Sequence, residues 1–302
     1  MEVFQEGKKR KEFANIFSAL GICIDLSLST EKMAQFGNKP KRCESVGAIV
    51  LECLKKGELS GQEARQLRGK LVYTESHVFS RFGSIAVQSI AERANSNCGT
   101  RPLDNRLVED LGWLVGRMSQ ETPRQLDYKD SRPPVIIFVD GACEGERYET
   151  VTVGAVLFDK VDSCIEYFGL HVQGELFNDW QEKGPRQVIG QAEVYPVVLA
   201  KMHWRKRLEH RRVMYYINND SAREALIKTT SSSEHTRNML VVCCAQEHEM
   251  RSFPWYARVP TASNIADDPS RMEFKELETM GADRQYPEQV KSMRTLAQDR
   301  KG

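Results

Sequence analysis

The hydrophobic rhythm of the chain changes near its midpoint. Before residue 121 the apolar positions recur mostly at helical spacing. The exception is 17–28 (FSALGICIDLSL), a short apolar run that predicts a strand or a strand pair. Residues 40–56 place Val46, Ile49, Val50 and Leu54 three to four apart, which predicts a helix. Ser60 followed by Glu63 is a capping-box pair. It opens a second helix with Ala64, Leu67, Leu71 and Val72 on one face. A further amphipathic helix covers 103–118 and is opened by Asp104 or Asn105.

After residue 134 the rhythm becomes that of buried strands. The runs 135–139 (VIIFV, ending at Asp140), 151–158 and 163–170 predict three strands. A helix over 188–204, a strand over 213–217, helices over 221–228 and 234–250, and a strand over 253–259 follow. That order is α/β. It requires a mixed sheet with an antiparallel start and parallel additions, flanked by helices. The stretch between the halves, 121–134 (ETPRQLDYKDSRPP), is polar and carries three prolines, so it reads as a linker.

Composition narrows the class only a little. A chain of 302 residues with 40% hydrophobic and 28% charged residues suits a two-domain globular protein. No apolar run approaches the roughly 20 residues needed to span a bilayer, and the N-terminus lacks the apolar core of a secretory signal. An intracellular location, cytoplasmic or nuclear, is expected, with the basic run Lys8-Lys9-Arg10-Lys11 as a candidate nuclear signal. The eight cysteines show no zinc spacing and read as buried free thiols. The net charge of +1 excludes a histone-like binder but hides a second basic block, 201–212 (KMHWRKRLEHRR).

Candidate chemistry lies in the second half, where acidic or amide side chains fall near element ends. These are Asp140, Glu193 one turn into a helix, Asn218-Asn219-Asp220 after the fourth strand, and Asp267-Asp268 before Pro269. Carboxylates gathered at strand ends suit magnesium, which prefers hard oxygen ligands. Two such ions can serve an in-line displacement at phosphorus. Each residue alone also has a plain structural role open to it, as a turn, a helix cap or a solvated position.

The segments VIIFVDGA, GQAEVYPVVLA, VMYYINNDSAREAL and RVPTASNIADDPSR together resemble the ribonuclease H-like domain of retroelement reverse transcriptases. The last segment is especially similar to the hepatitis B-type (hepadnavirus-like) and DIRS-type elements. The resemblance covers about 133–271 and implies a ribonuclease H-like five-stranded mixed sheet. It implies hydrolysis of the RNA strand of RNA–DNA hybrids with Mg2+ or Mn2+, two ions in an active site. Asp140, Glu193 and Asp267 would be the metal ligands, with Asn264 and Arg271 supporting the last loop and lying toward the nucleic acid. Arg258 stands where many retroelement versions carry a histidine.

The main departure is at the third acid. Counting from Val213 puts the family's position at Asn218, with Asp220 two residues later and rotated away. Either Asp220 swings in to complete the catalytic set, or the site is degenerate. Lys201, Arg205, Arg207 and Arg211 are candidate contacts to a hybrid's backbone, against the plain reading of a basic helix end.

The first half resembles the end of a reverse transcriptase. FSALGICIDL is similar to the primer-contacting strands of the palm, and GELSGQEARQLRGKLVYTES to the helical thumb. Leu20-Gly21 would be a primer-grip remnant, with Arg65, Arg68 and Lys70 on the nucleic-acid backbone. Residues 1–28 are thus expected as a palm remnant, 29–120 as a thumb-like region, 133–275 as the ribonuclease H-like domain and 276–302 as a tail. The polymerase's aromatic-x-Asp-Asp motif is absent, so the chain is not expected to polymerise DNA alone. Missing fingers and palm are a candidate partner, and a fragment or truncated gene is expected. The alternatives are a catalytically inactive nucleic-acid-binding module and a decayed element.

Overall fold

The run at the start of the first half folds into β1 (Ile16–Ala19) and β2 (Ile22–Asp25), paired antiparallel. Leu20 and Gly21 join them at φ 47° and 84°. A two-residue hairpin loop of type I′ needs positive φ at both positions. The computed structural model describes residues 14–78, 82–96, 99–119, 123–127, 130–145, 150–182 and 188–301. The basic run at Lys8 lies outside them. The chain divides into two units, Met1–Gly83 with Ser89–Ser131, and Ser84–Gln88 with Arg132–Gly302.

In the first unit, β3 (Met33–Asn38) pairs with β2. Then come α1 (Arg42–Lys56), β4 (Glu58–Leu59), α2 (Gly61–Val78), α3 (Phe82–Asn95), β5 (Arg101–Pro102), α4 (Asn105–Ser119) and β6 (Arg124–Asp127). The helix starts are encoded locally. Ser60 N donates to Glu63 Oε2 at 2.9 Å and Glu63 N donates back to Ser60 Oγ at 3.2 Å. Asp104, not Asn105, caps α4 by accepting from Leu107 N at 2.9 Å. Ala64, Leu67 and Leu71 of α2 are buried, whereas Val72 is exposed and leaves the expected stripe. Arg65 is held within the unit, donating to Ala94 O at 3.0 Å.

The expected linker is corrected in part. Its residues Arg124–Asp127 form β6, the edge strand of the sheet β1-β2-β3-β6. A backbone ladder needs no apolar side chain, so the polar composition concealed it.

The second unit is a mixed α/β sheet flanked by helices. Three antiparallel strands open it: β7 (Val135–Glu144), β8 (Thr150–Asp159) and β9 (Cys164–His171). Then follow α5 (Gly174–Trp180), α6 (Ile189–His203), α7 (Arg205–Leu208), β10 (Arg212–Ile217), α8 (Asp220–Lys228), α9 (Glu234–Met250) and β11 (Phe253–Arg258). The strands β10 and β11 add in parallel beyond β7. The C-terminal segment carries α10 (Asp267–Ser270), α11 (Lys275–Thr279), β12 (Asp283–Arg284) and α12 (Met293–Lys301).

The tail expectation is therefore corrected as well. β12 pairs with β9 as a sixth strand, giving the order β11-β10-β7-β8-β9-β12, and α12 packs on α9. Among the described residues no helix is long and apolar enough to cross a membrane. The described cysteines are free, but Cys23, Cys53, Cys143 and Cys164 are only half-buried.

The basic block is mostly structural. Lys201, 1% exposed, lies between α6, α9 and the sheet. Its Nζ is 3.1 Å from Glu247 Oε1 and 4.4 Å from the Tyr215 ring centre, while Tyr256 Oη donates to the same Oε1 at 2.6 Å. Arg211 is buried against Asp159 at 3.0 Å and donates to Pro133 O. Arg207 donates to Asp162 and to Glu166, each at 2.6 Å, beside the Trp204 indole on Glu166 at 2.7 Å. Arg205 is surface-exposed on Glu249 at 2.8 Å. Lys201 and Arg211 are thus corrected: buried cations with carboxylate partners cannot reach a nucleic-acid backbone.

This contrast sets a test. Lys201→Ala leaves Glu247 buried without its partner and should cost roughly 3–5 kcal/mol in urea unfolding. Arg205→Ala should cost under about 1 kcal/mol.

Candidate functional site

Asp140 lies within β7, not at its end as expected. The ladder with β10 stops at Val139 and Ile217, whereas the ladder with β8 runs on to Glu144. Asp140 is therefore the first residue of β7 beyond its parallel neighbour. In register beside it stand Gly154 on β8 and then Gly169 on β9. This row has no side chains, and α10 lies on it. A Cβ on Gly154 would overlap the backbone nitrogen of Ser270, and one on Gly169 the carbonyl oxygen of Pro269.

That seat brings the last motif onto the first. Ser270 Oγ donates to Asp140 Oδ2 at 2.6 Å. Asn264 Nδ2 donates to Val139 O at 3.0 Å and to Asp140 Oδ1 at 3.3 Å. Asn264 is buried, so its expected place toward nucleic acid is corrected to a clamp on the loop. Sequence reasoning did not single out Ser270, Gly154 or Gly169. Two single glycines inside strand runs were the available signal.

The second motif arrives from the opposite side. Pro196 sits inside α6 and has no N–H to offer the carbonyl of Ala192 four residues back. A Cβ on Gly141 would overlap that same Ala192 oxygen. Here α6 touches β7 backbone to backbone, and Glu193 follows directly. Glu193 is buried, and its Oε2 has no hydrogen-bond partner.

Asn218, just past the end of β10, lies beside Asp140 and opposes the rise of its carboxyl pKa, while its own buried Oδ1 has no partner. Asn219 caps α8, accepting from Ala222 N at 3.0 Å, and lies beside Glu193, where it opposes the rise of that carboxyl's pKa. Asp220 is 57% exposed and pairs with Arg258 at 3.2 Å and Arg223 at 3.3 Å. It does not swing in, and Asn218 occupies the third position. Asp267 is half-buried, with Arg271 bridging it to Glu144 at 3.2 Å on each side.

Asp140, Glu193, Asn218 and Asp267 thus form one electrostatic group. Burial raises the Asp140 carboxyl above its ordinary range, and the Asp267 charge adds to the rise against the opposing bond from Ser270. Burial, then the Asp140 and Asp267 charges, push Glu193 up to about 8. The donors are hard oxygens, and two of them, Glu193 Oε2 and Asn218 Oδ1, are buried acceptors with no donor. A divalent cation fits that chemistry. Among the described residues, however, no three His, Cys, Asp or Glu side chains stand close enough to hold an ion by themselves.

No protein-family model matches the sequence, and no curated protein matches it. Solved structures do. Ribonuclease H1 from the halophilic archaeon Halobacterium salinarum is similar at 18% identity, covering 47% of this chain and 98% of that one, with a TM-score of 0.35. The N-terminal ribonuclease H domain of rv2228c from Mycobacterium tuberculosis is similar at 16% identity, covering 49% and 98%, with a TM-score of 0.37. A foamy viral protease-reverse transcriptase in complex with an RNA/DNA hybrid is similar at 11% identity, covering 84% of this chain but 30% of that one, with a TM-score of 0.31. Likeness at this level says nothing about chemistry, which rests on the residues above.

Two outcomes follow. Gly154→Ala should destabilise the protein by roughly 1–3 kcal/mol in denaturant unfolding, because the backbone of Ser270 must move. With chelator present, folded Glu193 holds a proton between its ordinary 4.5 and about 8 that the unfolded chain releases. Stability therefore falls as pH rises through that window. Glu193→Gln should be more stable than the parent at pH 8.5, by on the order of 3 kcal/mol, with the difference gone at pH 4.

Proposed function

We propose that the second unit is a ribonuclease H-like domain with a degenerate hydrolytic site for nucleic acid, its natural substrate class being the RNA strand of RNA–DNA hybrids. One observation supports this above the rest. Asp140, Glu193, Asn218 and the Asp267 loop, far apart in sequence, converge where β7 outruns β10. The order of these residues along the chain is the order that the sequence resemblance implies.

In this proposal Asp140, Glu193 and Asp267 would hold Mg2+ or Mn2+ only together with the unpartnered Asn218 oxygen beside them. A divalent ion, when bound, supplies the positive charge that a scissile phosphodiester and an attacking water both require. The chain's own residues prepare the place. Ser270 and Asn264 fix the Asp140 rotamer. Asn219 lies beside Glu193, which must give up a proton near neutral pH before a cation can enter. Arg271 holds Asp267 at the exposed rim and turns toward solvent, where a phosphate backbone would pass. Asn218 lies beside Asp140 but brings no charge, which makes the hydrolase weak.

The same arrangement supports a second reading, a module that binds nucleic acid without cutting it, because Asn218 keeps the metal-free site neutral enough to fold. A labelled RNA–DNA hybrid assay with Mg2+ separates the two. Asn218→Asp should raise cleavage by roughly 10²-fold and lower metal-free stability, with Mg2+ restoring it. Cleavage by the parent that survives Asp140→Asn unchanged, or an Asn218→Asp variant as inert as Asp140→Asn, would refute the hydrolase.

A further inference from the structure

The two faces of the second sheet are not equally covered. Val135, Ile137, Val139, Val213, Tyr215, Ile217 and Tyr256 are buried on the face that receives α6, where Tyr256 also bonds Glu247 of α9. Alternation puts Ile136, Phe138 and Asp140 of β7 on the other face. It puts Arg212, Met214 and Tyr216 of β10 there too, with Phe253, Trp255 and Ala257 of β11. The ladders pair Met214 with Ile136 and Trp255, and Tyr216 with Phe138 and Ala257. The C-terminal segment covers only part of this face. Ala266, Ile265, Phe274 and Leu277 pack over Val156 and Tyr167 and reach Phe138. Toward the β11 edge the face opens. Phe253, Met214 and Tyr216 are half-buried, and Trp255 is 68% exposed.

We propose that this open half of the sheet is a stacking platform for single-stranded nucleic acid. Three features select that occupant. The platform is aromatic, with Tyr216 stacked on Phe138 at 4.8 Å and 15° and the Trp255 indole presented to solvent. Base–aromatic stacking needs this and tolerates any sequence. Its charge suits a polyanion: no carboxylate occurs at these strand positions short of Asp140, and the exposed Arg212 ends the row on β10. It is also continuous with the acidic site, because Asp140 lies on the same face, one alternation beyond Phe138, with Asn218 beside it. A strand stacked on the platform would run its backbone toward that site. The platform goes beyond the hydrolase proposal, since stacking requires neither a metal ion nor cleavage.

The test is binding of a fluorescent 12-nucleotide oligo(dT) to the full chain in chelator, where no hydrolysis can intervene. Binding should quench tryptophan fluorescence and weaken steeply with salt. Trp255→Ala should weaken it roughly 5- to 100-fold. Trp255→Phe should keep most of the affinity while losing the quench. Arg212→Gln should flatten the salt dependence by about one phosphate contact. Equal affinity of Trp255→Ala and the parent would overturn the platform, as would sedimentation showing a dimer that Trp255→Ala disperses. Neither result touches the hydrolase proposal, which is read by hybrid cleavage.

Discussion

Backbone lying on bare backbone is the constraint on which the second unit depends. Gly154 and Gly169 leave a gap across two strands, and the turn of chain from Asp267 to Ser270 rests in it. Gly141 leaves a second gap on the helical face, filled by the Ala192 carbonyl that Pro196 cannot engage. Strand β7 is thus gripped from both sides at one level. The grip delivers Ser270 and Asn264 to Asp140 from one face and Glu193 from the other. Side chains at these glycines would push the segments apart by about the length of a C–C bond, enough to break a 2.6 Å hydrogen bond. The precision of the acidic group therefore comes from residues that carry no function of their own.

What the grip assembles is electrostatically unbalanced. Two buried carboxyls are raised by burial and by their neighbours' charge. The buried cations of this unit cannot relieve them. Lys201 is held by Glu247 beneath two tyrosines, and Arg211 by Asp159 at the other end of the sheet. The nearest guanidinium, Arg271, stays at the rim with Asp267. On the proposed reading, a positive charge from outside would balance this group.

Much of this was legible in the sequence, and the failures have physical reasons. The capping box at Ser60, the strand before Asp140 and the α/β order all depend on local patterns, and the structure shows them. The displaced position of Asp220 follows from the strand ending before it and a helix beginning at it, and its pairing with Arg258 agrees with that. The basic block misled because composition cannot say which way a lysine points. Lys201 lies on the buried side of α6, and its partner Glu247 is 46 residues away on another helix. β6 and β12 were missed because edge pairing uses backbone groups that every residue carries. Glu193 was found through a motif, but its raised pKa could not be read, because that depends on what packs around it.

Asn218 ties these strands together. A carboxylate there would put a third charge beside Asp140 in a place that already disfavours two. On the proposed reading such a site would be less stable without a cation. The amide brings no charge to Asp140 and leaves its own oxygen without a partner, at a cost of about 1–3 kcal/mol. On the proposed reading the fold would then need no metal, and transition-state charge stabilisation would fall with it. The open aromatic face is indifferent to that exchange, since its affinity comes from rings and one guanidinium and not from the acids. A chain that traded the third acid for an amide would keep its grip on a strand while losing most of its power to cut one.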